Sequence, residues 1–338
     1  MHVGLAMTAR QLPSAPRPLV DIYREQIEQA VLGEELGFYS YRLAEHHFAE
    51  DQHNPSQFPL LAAVAARTES LRLGPYVLLL ALHNPIRVAE DIASVDILSG
   101  GRLDVVIGAG PMPNECAIFG IDRGAAFNRT YEALDVIAAC FEQEEFSHHG
   151  THFDFDAVRM TTKPLQQPGP PVYMAALGPQ SLKRAGSRGY NLGSVLHTPM
   201  VGIYEQAQAA AGRTRADYKL MSGPIAVHLA PTREQAWDEC EAGLHWWIEF
   251  YRRRGLDMPH PPLGELRKTP GAGIFGMPFG VGTPEDVMAV IGAHKDADID
   301  ELVIQFNHPG MTGEQINASM RLFAKELLPE IAGWGARG

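Results

Sequence analysis

Cysteine is scarce in this chain of 338 residues. Cys116, Cys140 and Cys240 lie far apart and form no CxxC pair. That usage suggests neither a disulfide framework nor a zinc site, and it fits a reducing compartment, so a cytoplasmic protein is expected. Basic charge is also short. Lysine and arginine number 28 against 40 aspartates and glutamates, a formal net charge of −12. This balance disfavours sequence-independent nucleic-acid binding, which needs clustered lysine and arginine, and disfavours an anionic membrane surface as partner. No uninterrupted apolar run reaches the length of a membrane span. The first residues, Met1-His2-Val3-Gly4-Leu5-Ala6-Met7, have no basic region before a long apolar stretch, so they read as a strand and not as a signal peptide.

What is present is the composition of a soluble globular protein, 45% hydrophobic and 20% charged. Strand and helix patterns alternate along it. Strands are expected at Val3–Met7, Phe38–Leu43, Leu71–Leu80, Leu103–Gly108, Pro171–Ala176, Asn191–Leu196, Pro224–Leu229 and Glu301–Phe306. The third is almost wholly apolar, as a parallel strand buried on both faces should be. Helices are expected between them. Leu19–Leu36 repeats apolar residues at three- and four-residue spacing and ends at Gly37. Pro85–Leu98 begins with proline at its first position. Others are read over Phe58–Thr68, Phe127–Phe141, Gln180–Ser187, Ile203–Ala211, Arg233–Arg254, Pro284–His294 and Gly313–Leu328. Eight strands with intervening helices and no composition break predict a single domain over 1–338, an α/β protein with a TIM (β/α)8 barrel. Gly255–Gly282, rich in glycine and proline, is expected to be an extended, mobile loop between strands seven and eight, either an active-site lid or a disordered insertion. Glu142–Thr162 is polar and reads as a surface excursion.

The run Ala44-Glu45-His46-His47-Phe48 falls at the C-terminal end of the second strand. Active sites of (β/α)8 barrels are built at that end, and imidazole beside carboxylate titrates near neutral pH. Adjacent histidines point to different sides, so one faces the barrel mouth while the other, with Glu45, orients it or pins the loop. A metal site formed by His46, His47 and His83 is the competing idea, but no HExxH-type spacing is present and no metal is assigned. Ala176-Leu177-Gly178-Pro179-Gln180-Ser181 joins strand five to a helix. Its glycine, its proline and a helix N-terminus suit either an anion site or an ordinary turn. Gly108-Ala109-Gly110-Pro111 leaves room for a flat ligand after strand four, or makes a tight turn. Arg129 is positioned to reach a phosphate or to sit on a solvated face. His245-Trp246-Trp247 reads as packing.

Taken together these residues resemble the bacterial luciferase-like flavin monooxygenases, close to the luciferase α subunit. The resemblance runs over nearly the whole chain. It rests on Glu45-His46-His47-Phe48, Pro85-Ile86-Arg87-Val88-Ala89-Glu90-Asp91, Ser99-Gly100-Gly101-Arg102, Phe119-Gly120-Ile121-Asp122, Pro171-Val172-Tyr173, Val281-Gly282-Thr283-Pro284 and Ala318-Ser319-Met320-Arg321-Leu322-Phe323, in that order. It implies a barrel that takes reduced FMN from a separate flavin reductase and reacts it with dioxygen, through a flavin 4a-hydroperoxide, to oxygenate a small organic substrate. It implies that His46 is catalytic, with Glu45 and His47 beside it. It implies that Leu177, Gly178, Ser181 and Arg129 contact the flavin phosphate, that Tyr76 and Val77, joined by a non-proline cis peptide, lie beneath the flavin ring, and that Gly108, Ala109 and Ala176 also belong to the cofactor site. Three positions depart from the luciferase α pattern. Gly108 stands in place of a cysteine, Ala109 in place of an arginine and Leu177 in place of a glutamate. The first argues against light emission and for a different or larger substrate pocket. A homodimer through the Leu60–Ala66 and Ile92–Leu98 faces is expected from the same resemblance. The alternatives are a deazaflavin-dependent hydride-transfer enzyme on the same barrel and a non-catalytic flavin-binding partner subunit.

Overall fold

The computed structural model describes residues 1–110, 112–193, 201–256, 259–269 and 271–334. Eight parallel strands follow one another: β1 (His2–Met7), β2 (Ser40–Leu43), β3 (Arg72–Pro75), β4 (Val105–Gly108), β5 (Val172–Ala175), β6 (Asn191–Gly193), β7 (Met221–Leu229) and β8 (Glu301–Gln305). β1 pairs with β2, β2 with β3, β4 with β5, β5 with β6, β7 with β8, and β8 returns to β1. Isolated bridges carry the ring across the remaining two gaps: Leu73 to Leu103 and Leu78 to Ile107 between β3 and β4, and Leu192 to Leu220 between β6 and β7. This is the expected TIM-type (β/α)8 arrangement. The connecting helices are α1 (Leu19–Glu35), α2 (Gln57–Ala65), α3 (Pro85–Leu98), α4 (Pro113–Ile118), α5 (Ala126–Glu142), α6 (Pro179–Ser187), α7 (Val201–Ala210), α8 (Arg233–Arg253), α9 (Pro284–Ile291), α10 (Gly313–Glu326) and α11 (Leu328–Ala332). Among the described residues no helix is long and apolar enough to cross a membrane.

The barrel interior is filled in layers. Toward the N-terminal ends of the strands sits Arg42, wholly buried. Its Nη2 donates to Asp104 Oδ2 at 3.0 Å and to Glu301 Oε2 at 2.9 Å. Arg72 also pairs with Asp104, and the Ser40 hydroxyl donates to Glu301. A cation in a protein interior persists only when paired in this way. Gly74 makes the space, since a Cβ there would overlap the Asp104 carbonyl oxygen and come within 2.9 Å of Arg42 Nη1. The next layer is apolar and aromatic: Ala6, Tyr76, Val106, Tyr173, Met221 and Val303.

Three departures from the sequence expectation bear on the site. The third strand ends at Pro75, not Leu80. The Tyr76–Val77 peptide is cis, and Leu80–Leu82 turn as a 3₁₀ helix. Leu79, Leu80 and Ala81 are buried, so the apolar run reflects packing, which periodicity alone does not distinguish from a strand. The six-residue α4 lies in a stretch for which no helix was expected. The loop between the seventh and eighth strands has regular pairing: a hairpin of Gly273–Ile274 with Met277–Pro278, then Gly280–Gly282 alongside the end of β7. Leu266, Ile274, Met277 and Phe279 bury its apolar side, while positions 257, 258 and 270 lie outside the described residues. Glu142–Thr162 holds a second hairpin, Phe146–His149 with Asp154–Val158. The portion of the expected sixth strand beyond Gly193, and Pro111 of the glycine-rich turn, also lie outside the described residues.

Candidate active site

At the end of β2 the backbone turns and sends its two histidines apart. His46 Nδ1 lies 3.1 Å from Glu115 Oε1, and His46 Nε2 lies 3.1 Å from the Tyr251 hydroxyl. Glu115 comes from α4 and is wholly buried. It also accepts the backbone N–H of His47 at 2.9 Å and of Met112 at 2.8 Å. Burial pushes the Glu115 carboxyl up, but the His46 hydrogen bond and charge, with the two N–H donors, outweigh it and hold the group below its ordinary value. A carboxylate at Nδ1 fixes the Nδ1–H tautomer and leaves the Nε2 lone pair to accept from the tyrosine O–H. Burial pushes the Tyr251 phenol up to about 12, against the opposing charge of Arg10, so it stays a donor at neutral pH. His53, Phe250 and Tyr251 wall the His46 ring edge-on, at centroid distances of 4.9, 5.1 and 5.6 Å. Phe275, from the hairpin after α8, packs on Tyr251 at 4.8 Å. Thus the long loop does reach the site, through the contact of Phe275 with Tyr251.

His47 faces the other way and belongs to Glu45. Glu45 Oε1 lies 2.7 Å from both His47 Nε2 and His83 Nε2, and Oε2 accepts the Leu79 N–H at 3.0 Å. Burial raises the Glu45 carboxyl, yet these bonds outweigh it and bring it down to about 2. Burial likewise depresses His83, and the Glu45 hydrogen bond and charge, with Asp91, raise it overall. Gln57 adds a second tie by donating to the carbonyls of Leu43, at 2.7 Å, and Val77, at 3.1 Å. The loops after β2 and β3 are therefore locked together. Of the two roles open to Glu45 and His47, pinning the loop is the one the geometry gives them. The partner that holds His46 is Glu115, which the sequence reading missed. The only signal was an acidic residue in a short Pro-initiated segment after strand four.

Ligand atoms of Glu45, His47 and His83 lie within 4.8 Å of one another, so this trio, and not His46 with His47 and His83, is the metal-like grouping. Its 2.7 Å contacts are hydrogen-bond lengths. Two ligands held tetrahedrally by zinc at about 2.1 Å sit roughly 3.4 Å apart.

The second group of expected residues lines the neighbouring strand ends. The cis Tyr76–Val77 peptide is present as the resemblance implied, and the Tyr76 hydroxyl donates to Gly223 O at 2.6 Å. Gly108 closes β4 against Val77: a Cβ at Gly108 would lie 2.6 Å from Val77 Cγ2. A cysteine side chain does not fit there unless Val77 moves. Ala109 is half-buried beyond it. At the α6 N-terminus, Ser181 Oγ accepts the Gly178 N–H at 3.2 Å and donates to Gly178 O at 2.8 Å, which closes the turn. The first-turn N–H groups of such a helix have no intrahelical acceptor. Ala176 is buried and Leu177 is exposed. Arg129 is engaged elsewhere. Its Nε donates to Ala81 O at 2.9 Å, its Nη1 to His152 O at 3.2 Å, and its guanidinium lies over Phe153 at 4.2 Å. Trp247 of the aromatic run is buried in the core, which agrees with packing.

A sequence-family model described as luciferase-like monooxygenase matches residues 1–301. A Sinorhizobium fredii protein, y4wF, is 40% identical over 173 residues, 51% of this chain and 51% of its own length, so the chain spans about half of that relative. The 4-hydroxyprotoasukamycin monooxygenase of Streptomyces nodosus subsp. asukaensis is 30% identical over 266 residues, covering 74% of this chain and 70% of that one. The crystal structure of monooxygenase RslO1 from Streptomyces bottropensis aligns with a TM-score of 0.82 at 26% identity, covering 98% of this chain and 99% of that chain. Further relatives include one named as the oxygenase component of a flavin-dependent monooxygenase and others named as F420-dependent dehydrogenases.

Proposed function

This chain belongs to the luciferase-like monooxygenase family, and on that premise we propose that it is the oxygenase of a two-component, FMN-dependent monooxygenase. The observation that carries the reading is the Glu115–His46–Tyr251 chain at the mouth of the barrel. It sets a histidine with a defined tautomer beside the strand ends where a flat cofactor would lie. The residues fit FMN in two respects. Gly108 and Ala109 keep the end of β4 free of any large side chain beside the Tyr76–Val77 peptide, and the Gly178–Ser181 turn starts a helix whose N–H groups suit a phosphate. Tyr76, Ala109, Ala176 and Leu177 complete the lining. Reduced FMN, when bound, supplies the electrons that activate dioxygen.

The protein's own contribution is proton control and exclusion of water. His46 Nε2 takes or returns a proton through the Tyr251 hydroxyl, which replaces or releases its own proton on the side of the reacting group, and Glu115 stabilises the charge that results on the imidazole. His53 and Phe250 shield the ring, and Phe275 closes over Tyr251. Shielding of this kind keeps activated oxygen from being lost to water. Glu45 and His47 hold the loop that carries His46. Arg129, committed to two carbonyl oxygens, supports the wall of the phosphate side in this reading more than it meets the phosphate. A separate flavin reductase, a small organic substrate and a homodimer belong to the same proposal. Ile97 and Leu98 are 48% and 60% exposed at the end of α3, on the face expected to dimerise.

One observation favours a second reading. A relative named F420-dependent glucose-6-phosphate dehydrogenase, from Microbacterium testaceum, is 27% identical over 91% of this chain. Hydride transfer with F420 on the same barrel would use His46 as well. The two are separated by mixing the protein with enzymatically reduced FMN in air-saturated buffer and following flavin reoxidation and hydrogen peroxide release. Slowed peroxide release, with oxygen consumption that depends on added substrate, supports the oxygenase. Tight F420 binding with no affinity for reduced FMN overturns it. Loss of product but not of flavin affinity in His46→Ala excludes a merely flavin-binding partner subunit.

A further inference from the structure

Arg10 leaves β1 at the C-terminal face of the barrel and is buried, with 7% of its surface exposed. Its guanidinium lies 4.8 Å over the Trp247 ring. Nε and Nη2 meet no acceptor among the described residues. These two atoms share one edge of the guanidinium. The protein uses that same edge on carboxylates elsewhere: Arg42 Nε and Nη2 on Glu301 at 3.3 and 2.9 Å, Arg72 on Asp104, Arg233 on Asp286, while Arg17 and Arg188 use the Nη1–Nη2 edge. A planar fork of this kind matches a carboxylate bidentately. A buried cation left without such a partner is costly.

The surroundings do not supply one. Asp51 acts on Arg10 through its charge, but its oxygens accept the His53 N–H at 3.2 Å and Trp246 Nε1–H at 3.3 Å. Glu25, in the cavity that Arg10 lines, is paired with Arg17. The other charge nearby is positive: Arg254 and Arg10 both bear on His53. Asn307 Oδ1 and His308 Nδ1 line the same cavity without partners, because Asn307 Nδ2 donates to Thr8 O and His308 Nε2 to Val227 O. They offer acceptors to a hydroxyl on a ligand whose anion sits on Arg10. Tyr251 links this place to the reacting histidine, since it feels the Arg10 charge and its hydroxyl lies 3.1 Å from His46 Nε2.

We propose that the Nε–Nη2 edge of Arg10 anchors a carboxylate group of the substrate, so that this enzyme acts on small organic acids. That the anchored molecule is a substrate rests on the oxygenase reading above; that Arg10 binds a carboxylate does not. The test is calorimetric titration of the full chain with acetate, lactate and benzoate against acetamide, lactamide and benzamide, in the wild type, Arg10→Gln and Arg10→Lys. At least one acid binds tenfold or more tightly than its amide. Arg10→Gln abolishes that preference, Arg10→Lys keeps part of it, and affinity for reduced FMN is unchanged in both. If every acid binds no better than its amide, or Arg10→Gln leaves the preference intact, the proposal is overturned. Should Arg10→Gln fail to fold, the wild-type comparison and Arg10→Lys decide. An Arg10-dependent carboxylate site in a protein that does not bind reduced FMN overturns the oxygenase reading alone.

Discussion

Two buried carboxylates sit beside two adjacent histidines, and replacing each by its amide separates their roles. In Glu115→Gln the side chain keeps its shape but has one oxygen where there were two. That oxygen serves either the His46 and His47 donors or the Met112 N–H, and the NH2 group faces whichever is left. Leaving a buried donor unpaired costs about 1–3 kcal/mol, so urea unfolding is expected to show a loss of that order. The kinetic effect is larger. His46 loses the charge that fixes its tautomer and stabilises its protonated form, and product formation with reduced FMN, oxygen and substrate is expected to fall about 100-fold at saturating flavin. Glu45→Gln removes a comparable set of bonds, from His47, His83 and the Leu79 N–H, and is expected to cost similar stability. It does not touch His46, so turnover per folded molecule should stay within about threefold of wild type. Equal rates in Glu115→Gln and wild type, or equal losses in both variants at matched folded fraction, would refute the assignment of Glu115 to catalysis and Glu45 to the loop.

Other expectations follow from the same geometry. His46→Ala should retain affinity for reduced FMN by fluorescence titration while losing product, whereas Ser181→Ala should weaken flavin binding first. The Glu45 carboxyl, held at about 2 in the folded protein, contributes stability that is present above the ordinary carboxylate value and lost as pH falls toward 2, an effect of about 3 kcal/mol at most. His83, raised on folding, contributes in the opposite sense: present below its ordinary value of 6.5 and lost as pH rises through the folded one. Denaturant unfolding between pH 3 and 9 should show both limbs, and His83→Gln should remove the alkaline one. Dialysis against a chelator should leave turnover and melting temperature unchanged; a fall in either, restored by a divalent metal, would show that Glu45, His47 and His83 hold an ion. Gly74→Ala should fail to fold or lose well over 3 kcal/mol through overpacking against Asp104, while Gly110→Ala, with open space about it, should be nearly neutral in the same measurement.

The barrel was legible because each βα unit carries its own pattern: apolar strand, turn, amphipathic helix. His46 was legible because the run containing it falls at a strand's C-terminal end. What the run could not reveal was its partners. Glu115 lies 69 residues from His46 and Tyr251 lies 205 away, and contacts of that separation leave no local spacing to read. The same holds for Arg10, whose buried, unpartnered edge depends on the meeting of the loops after β1 and β8 around it. The overlong third strand has a different cause. Leu78 still bridges to Ile107, but Leu80–Leu82, as apolar as a buried strand, turn as a 3₁₀ helix, and composition does not register where the strand stops. Arg129 took its phosphate role from the family resemblance; its hydrogen bond to His152 O depends on a hairpin that the polar sequence of 142–162 did not announce.

The charged layer around Arg42 also bears on the order in which the chain can assemble. Its two counter-ions come from opposite ends of the sequence, Asp104 ahead of β4 and Glu301 at the start of β8. During synthesis on a ribosome the first four strands emerge with Arg42 half-compensated, and Asp104 is shared with Arg72 as well. The half-barrel therefore has a reason to remain open and hydrated at its centre until the last strand arrives, and closing the ring and neutralising its core become one event.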